Sequence, residues 1–257
     1  MKLEISSLSF SYGSKEILRN VSFSLESGRS TALLGRNGSG KTTLLRIILG
    51  FLKPACGSVS VDGKEVSEMN HRERAKFIAY IPQTLTDIYP YTALETVLMG
   101  RASSLSLFQH PGKKDEEKAL EALEILGIAH LKNRAVNTLS GGERQLVLIA
   151  RAIVQDASFM IMDEPTASLD YSNSLLVMEK IEELRQDGYG ILYSTHSPDT
   201  ALQNGSGILL LSDGVSEYID NPEELEDGRK LSELYNRQLC IKSIETEKGR
   251  KLVCVPV

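Results

Sequence analysis

The sequence predicts an α/β fold with a mixed sheet, an antiparallel β region at the N-terminus and a helical subdomain inserted into the core. Three observations predict it. Residues 3–10 and 21–25 alternate between apolar and polar as half-buried strands do. A glycine-rich turn at 35–42 lies between a short apolar run and a helix-forming one. Helix caps and amphipathic runs begin near Thr92.

The N-terminal strands come first. Residues 3–10 suggest a strand whose inside–outside phase slips once, and residues 21–25 suggest its neighbour. Tyr12 follows the first of these strands. By itself it is typical of a surface tyrosine beside a turn at Gly13, but near an adenine its ring could stack on the base.

The turn at 35–42 reads G-R-N-G-S-G-K-T and fits the phosphate-loop pattern G-x-x-x-x-G-K-[ST] at every fixed position. Its glycines let successive N–H groups face phosphate oxygens, and the following helix adds its positive end. Lys41 would reach the outer phosphates, and the Thr42 hydroxyl can ligate Mg²⁺. A chance glycine-rich turn would not require the flanking strand and helix. The predicted phosphate contacts are Gly35, Arg36, Asn37, Gly38, Ser39, Gly40, Lys41, Thr42 and Thr43.

A hairpin and a further strand follow the phosphate loop. Asp62-Gly63 after an alternating apolar run predicts the hairpin, and residues 77–81 predict a strand that Pro82 stops, with Gln83 at its end. The capping box of Thr92 and Glu95 and the amphipathic run 115–126 then indicate helices.

Residues 139–145 read L-S-G-G-E-R-Q and open another helix, with Ser140 and Glu143 as a second capping box. One interpretation is a helix start with flexible glycines. The other is that two residues without side chains, at the positive end of a helix, expose N–H groups to a phosphate.

Two more apolar strands end in polar side chains. Residues 159–162 lead into Asp163 and Glu164, and residues 191–195 lead into His196. Groups at the carboxyl ends of strands are well placed for a ligand. Asp163 suits the shell of a metal and Glu164 suits orienting or deprotonating a water. The alternatives are solvated loop acids and an ordinary surface histidine.

The rest of the chain predicts a hairpin over 208–219 and a short acidic helix capped by Asn221 and Pro222. Residues 239–244 and 252–255 predict a closing pair of strands.

Composition narrows the function classes. The net charge of −5 without a basic run argues against a nucleic-acid surface. The apolar runs are far shorter than the ~20 residues that cross a bilayer, and the first residues have no apolar signal core, so we expect a cytosolic protein. The three cysteines, Cys56, Cys240 and Cys254, lack metal-type spacing and suggest reduced packing thiols.

The order of phosphate loop, Gln83 after a strand, L-S-G-G-E-R-Q, M-I-M-D-E and His196 resembles the ATP-binding cassette family. The resemblance covers nearly the whole chain. It implies a single domain with a P-loop ATPase core at 1–85 and 156–225, a helical subdomain carrying the signature motif at 86–155, and a C-terminal extension at 226–257.

The resemblance also implies a head-to-tail homodimer that holds ATP between two copies. Each ATP would contact Tyr12 and the phosphate loop of one copy, and Asp170 would lie at the dimer seam. Ala167 stands where the family often has serine, and Ser197 where it often has an acid. The implied trans contacts are Ser140, Gly141, Gly142 and Glu143. The implied catalytic residues are Glu164 as base, His196 on the γ-phosphate and Gln83 near the water, and the implied Mg²⁺ contacts are Thr42, Gln83 and Asp163.

Residues 90–101 and the tail segments 231–235 and 249–256 resemble importers of iron chelates (siderophores), with haem and cobalamin importers close by. Such cassettes lie peripherally on the cytoplasmic face of the membrane. They dock on two membrane permease subunits, which an extracytoplasmic substrate-binding protein feeds, and they bind no nucleic acid.

Two other functions stay open at this point. A soluble cassette ATPase acting on ribosomes or DNA would normally show two cassettes, a coiled-coil insert or a basic arm, and none appears. A P-loop kinase or switch protein would leave L-S-G-G-E-R-Q and His196 unexplained.

Overall fold

A computed structural model describes residues 1–83, 90–106, 109–246 and 249–257. The predicted start of the helical subdomain, near residue 86, lies outside these ranges. The strands are β1 (Lys2–Tyr12), β2 (Lys15–Glu26), β3 (Ser30–Leu34), β4 (Cys56–Val61), β5 (Lys64–Glu65), β6 (Ile78–Ile81), β7 (Phe159–Met162), β8 (Gly190–Thr195), β9 (Gly207–Ser212), β10 (Val215–Ile219), β11 (Leu239–Thr246) and β12 (Gly249–Pro256). The α-helices are α1 (Lys41–Ile48), α2 (His71–Ala75), α3 (Ala93–Leu98), α4 (Lys113–Ile125), α5 (Gly141–Ile153), α6 (Tyr171–Gln186), α7 (Pro198–Asn204) and α8 (Arg229–Tyr235).

The N-terminal strands form an antiparallel sheet in the order β2-β1-β4-β5, which confirms the predicted β region and the Asp62-Gly63 hairpin. The predicted phase slip in β1 is confirmed: Leu3 and Ile5 are buried before it and Leu8 after it. The pairing with β2 shifts between Ile5 and Leu8, between Leu8 and Phe10, and again between Phe10 and Ser11. Such register shifts depend on both strands of a pair. The alternation of apolar and polar residues in β1 alone therefore does not predict where they occur.

The central sheet has the order β10-β9-β3-β8-β7-β6. Its strands run parallel except β10, which pairs antiparallel with β9, so the predicted mixed sheet is confirmed. The carboxyl ends of β3, β6, β7 and β8 therefore lie at one edge. The phosphate loop, Gln83, Asp163 with Glu164, and His196 follow these four strands directly.

Alternation along the central strands separates two apolar cores. On β3, Leu33 faces the core shared with α1 and the antiparallel sheet, whereas Ala32 and Leu34 face the core shared with the helices on the other side. On β8, Leu192 and Tyr193 divide in the same way. Side chains on a strand point alternately to its two faces, so this sheet is buried on both faces and holds its edge in a fixed place.

The described residues between β6 and β7 form α3, α4 and α5, as the sequence predicts for a helical subdomain. Both predicted capping boxes are present: Thr92 with Glu95 begins α3, and Ser140 with Glu143 begins α5. Helix α5 also buries its apolar face against α3, α4 and α6. This contact belongs to the core that contains Ala32 and Leu34, which is the larger of the two cores.

The 16-residue helix α6 was not predicted. Its buried residues number only four, Val177, Met178, Ile181 and Leu184, so its apolar stripe is narrow in the sequence. The predicted hairpins β9–β10 and β11–β12 are both present. Within the described residues, no helix is long and apolar enough to cross a membrane.

Candidate active site

The phosphate loop lies between buried β3 and α1, where the sequence predicts it. Gly38 and Gly40 have φ of +83° and +105°, a backbone region that favours glycine. A Cβ on Gly35 would lie 2.6 Å from both the Leu211 carbonyl oxygen and Ser39 Oγ. The turn therefore requires glycine at these positions, and it carries the backbone directly into the first turn of α1.

Lys41 folds back over this loop. Its side chain is only 6% exposed, and Nζ donates to the carbonyl oxygens of Gly35 at 2.8 Å and Arg36 at 3.3 Å. Ser39 Oγ is buried and has no hydrogen-bond partner within the described part of the chain. A buried hydroxyl without a partner is costly, and a phosphate oxygen in the loop would supply the missing acceptor.

Glu164 lies at the centre of the polar edge. Its Oε2 accepts a 3.4 Å hydrogen bond from Gln83 Nε2 and lies 3.3 Å from His196 Nδ1, and its Oε1 lies 3.6 Å from Lys41 Nζ. These contacts bring together three of the strand ends and the phosphate loop. The carboxylate is mostly buried, with 16% of its side chain exposed, whereas His196 is 58% exposed.

The backbone of Glu164 is strained. Its φ is +46°, in the left-handed region that costs a non-glycine residue on the order of 1–3 kcal/mol. Its N–H donates to Ser194 Oγ at 2.9 Å, which fixes the peptide in this conformation. Strain of this kind persists only where the surroundings impose it, and it is common in functional sites.

Asp163 is 6% exposed, and one of its oxygens, Oδ1, accepts a 2.6 Å hydrogen bond from Ser194 Oγ. Ser194 thus forms hydrogen bonds with both acidic residues. It was not predicted from the sequence as a site residue. The only signal was a polar residue in an apolar strand. Its contact with the acidic residues depends on the register of β7 with β8. This register pairs Met162 with Tyr193 and therefore places Asp163 beside Ser194.

The donor set fits Mg²⁺. Thr42 presents a hydroxyl at the exposed start of α1, Asp163 a carboxylate and Gln83 an amide at the neighbouring strand ends. The described residues contain no cluster of three or more His, Cys, Asp or Glu side chains able to hold a metal. Few protein ligands suit Mg²⁺, which keeps waters and binds substrate phosphates with one or two carboxylates.

Tyr12 lies at the exposed end of β1 and is 49% exposed. Its ring packs edge-on against Phe10, with centroids 4.8 Å apart and an interplanar angle of 86°. Because about half of Tyr12 is exposed, part of its surface is accessible for stacking.

The signature residues begin α5. Ser140 and Gly141 are exposed. Ser140 Oγ accepts from the Glu143 N–H at 3.3 Å, and the Glu143 carboxylate accepts from the Ser140 N–H at 2.8 Å. This backbone hydrogen bond lowers the pKa of Glu143, so its carboxylate stays charged within its own capping box.

Gly142 also has a packing role within its own chain. Gly142 is buried, and a Cβ there would collide with the side chain of Asn173 on α6. The amide of Asn173 is held by Asp170, which caps α6 by accepting from Asn173 N and Nδ2, each at 2.8 Å. The Gly142 position thus allows α5 and α6 to approach, and Asp170 is a helix cap within this chain.

Comparison with known proteins agrees with this arrangement. The model of the ABC transporter family matches residues 18–167. An ABC transporter ATP-binding protein of Haemophilus influenzae is 40% identical over 91% of this chain and 89% of its own. A protein of Helicobacter pylori named as a probable iron chelatin transport ATP-binding protein is 39% identical over 93% of this chain and 94% of its own. Among solved structures, a chain of an inward-facing transporter described as metal-chelate type has a TM-score of 0.88 and 29% identity, covering 99% of this chain and 96% of that one.

These matches span more than half of the chain for the family model and nearly all of it for the relatives. They agree with the mixed sheet, the phosphate loop and the helix that begins at Ser140. The chain therefore belongs to the ABC transporter family and is an ATP-binding ATPase of such transporters.

Proposed function

We propose that this chain is the subunit that binds and hydrolyses ATP to energise an importer of iron chelates. One observation carries the catalytic part of the proposal. Lys41, Gln83 and His196 reach the single carboxylate of Glu164 from the phosphate loop and from two other strand ends. Phosphoryl transfer needs positioned charge and a group that orients water, and these residues supply both.

ATP binding uses groups that are already in place. The N–H groups of the loop and of α1 face the phosphates, and the Lys41 ammonium exchanges its two carbonyl acceptors for phosphate oxygens. Tyr12 stacks on the adenine. Thr42, Asp163 and Gln83 hold Mg²⁺, which neutralises charge on the phosphates when it is bound.

Glu164 acts as the general base. Its carboxylate accepts a proton from the attacking water, while Gln83 orients that water through its amide. His196 donates to the γ-phosphate from its exposed position beside Glu164. In the nucleotide-free chain, the contacts of Glu164 with Lys41 and His196 hold the ammonium and the imidazole near their working positions.

The trans contacts come from a second copy. Ser140 and Gly141 are exposed at the N-terminus of the 13-residue helix α5, whose positive end favours an anion. In a head-to-tail homodimer, Ser140, Gly141, Gly142 and Glu143 of one copy close over the ATP of the other, and Asp170 lies near the seam. ATP then holds the dimer closed and hydrolysis releases it.

The transport part of the proposal rests on the relatives. The Helicobacter pylori relative is named for iron chelatin transport and the structural neighbour for a metal-chelate type transporter. We infer that the chain lies on the cytoplasmic face of the membrane and docks on two permease subunits fed by an extracytoplasmic binding protein.

The test of the site is Glu164→Gln. Removal of the base lowers kcat by roughly 10²–10⁴-fold while ATP binding remains, because the phosphate loop is unchanged. The protein then accumulates as an ATP-bound dimer in gel filtration. Glu217→Gln, on β10, is the matched control, since this carboxylate is exposed and forms an ion pair with Lys230 on α8. A monomeric Glu164→Gln protein in saturating ATP would contradict the proposed dimer.

The same variant tests the transport assignment. Tagged Glu164→Gln protein is captured from detergent-solubilised native membranes with ATP present, and copurifying proteins are identified by mass spectrometry. We expect a polytopic permease whose transporter takes up an iron chelate. Recovery of ribosomal or DNA-repair proteins without a membrane protein would favour the alternative of a soluble cassette ATPase.

A further inference from the structure

The backbone of His196 is hydrogen-bonded to the C-terminal part of the chain. Tyr235 Oη, at the end of α8, donates a 2.7 Å hydrogen bond to the His196 carbonyl oxygen. The two residues are 39 positions apart in the sequence. The segment Leu231 to Tyr235 is one of the tail segments that resemble iron-chelate importers. Its last residue therefore contacts the histidine that we propose to bind the γ-phosphate.

The donor is held rigidly. Leu231 and Leu234 on α8 are buried in the larger core, and Tyr235 packs against the same core. Ser232 Oγ donates to the Gly228 carbonyl and accepts from Leu239 N, which ties α8 to β11. Burial raises the pKa of Tyr235, so its hydroxyl stays protonated and remains a donor at neutral pH.

The residues on either side of His196 are also held by hydrogen bonds. Thr195 before it is buried at the end of β8, and its Oγ1 accepts from Ser197 N at 3.1 Å. After it, the Asp199 carboxylate on α7 accepts from Cys254 N on β12 at 2.7 Å. The C-terminal segments thus hold both the backbone of His196 and the helix that follows it.

We propose that Tyr235 is a positioning residue that holds the His196 peptide so that the imidazole reaches the γ-phosphate. The inference rests on the role of His196 in the proposed function. A displacement of about 1 Å in a catalytic group can cost up to roughly 100-fold in rate, so one hydrogen bond to its backbone can control turnover. The C-terminal extension then contributes to hydrolysis without touching ATP.

The test is Tyr235→Phe in the full-length protein. This change removes the hydroxyl and keeps the ring in the core. We expect kcat for ATP to fall by as much as about 100-fold while KM changes much less, because the phosphate loop, which Tyr235 does not contact, supplies most of the proposed contacts with ATP. Tyr189→Phe is the matched control, since Tyr189 is also partly buried against the larger core. It should leave kcat unchanged.

A double variant separates positioning from a general loss of stability. In a His196→Ala background, Tyr235→Phe should cause no further loss of kcat, because the positioned side chain is already absent. A loss of the same size in both backgrounds would overturn the proposal.

An NMR spectrum of the histidine imidazoles gives a readout that does not depend on catalysis. The chain has four histidines, so a protein labelled in histidine imidazoles gives four signals, and His196→Ala identifies one of them. Tyr235→Phe should shift the His196 signal and leave the other three in place. An unshifted His196 signal would overturn the proposal. A His196→Ala protein with full turnover would instead contradict the catalytic role of His196, and the spectrum would then decide the positional claim alone.

Discussion

At the scale of single residues, Glu164 shows how the site is held. Its carboxylate meets groups from two strand ends and the phosphate loop, and its backbone has a φ of +46°. Ser194 compensates by accepting the Glu164 N–H and donating to Asp163. A single buried hydroxyl therefore sets the orientation of both acidic residues.

We predict that Ser194→Ala impairs both stability and turnover. Asp163 and the Glu164 N–H each lose their partner, and an unsatisfied buried polar group costs roughly 1–3 kcal/mol in the free energy of unfolding. Urea unfolding and ATPase assays as a function of Mg²⁺ concentration measure the two effects. Ser60→Ala on β4 is the control, because Ser60 also lies in a strand but is only partly buried, whereas Ser194 is fully buried. Equal stability and turnover in the two variants would refute the role of Ser194.

At the scale of elements, α5 and α6 meet where α5 has no room for a side chain, because the Asn173 side chain of α6 fills the space. Gly142 begins α5 beside Asn173, and Asn173 cannot retreat freely because Asp170 accepts from both its N–H and its amide. The N-termini of the two helices are thereby coupled, and the exposed Ser140 cap is held relative to the acidic loop that precedes α6.

We predict that Gly142→Ala destabilises the fold, whereas Gly141→Ala does not. A methyl group at 142 overpacks the contact with Asn173, which typically costs about 1–3 kcal/mol. At 141 a Cβ meets the end of the flexible Leu169 side chain at 3.1 Å and the Ser168 carbonyl oxygen at an ordinary contact distance of 3.9 Å, and alanine favours the helix. Urea unfolding of both variants measures the difference. Equal midpoints would show that Asn173 moves aside without cost.

At the scale of the whole molecule, the C-terminal segments belong to the same core as the parallel sheet. Leu225, Leu231, Leu234 and Leu252 are buried in the cluster that contains Met160 and Tyr193 of the central strands. Strand β12 also packs along α7. The tail is therefore part of the structure that supports the polar edge, although no residue of it lies in the phosphate loop or at the carboxyl ends of the strands.

We predict that Leu231→Ala lowers the free energy of unfolding by about 2–5 kcal/mol, as expected for deletion of a fully buried leucine side chain. Ile244→Ala, on β11 of the same tail, should have a small effect because Ile244 is 50% exposed. Equal losses of stability would show that the tail does not contribute specifically through α8. Thermal and urea unfolding followed by circular dichroism provide the measurement.

The sequence by itself determined the features that depend on short stretches of chain. The glycines of the phosphate loop, the caps at Thr92 and Ser140, and the polar residues after apolar strands are encoded within a few residues of each other. Turn geometry, capping and strand alternation are local preferences, so the mixed sheet, the predicted helical segment and the order of the motifs could be read without coordinates.

Only the tertiary structure decided which distant residues meet. Ser194 reaches Asp163 across 31 positions and Tyr235 reaches His196 across 39. Gly142 meets Asn173 because α5 and α6 cross beside the sheet. These contacts depend on strand order, register and helix packing, which are set by the burial of two cores on opposite faces of one sheet and not by any local pattern.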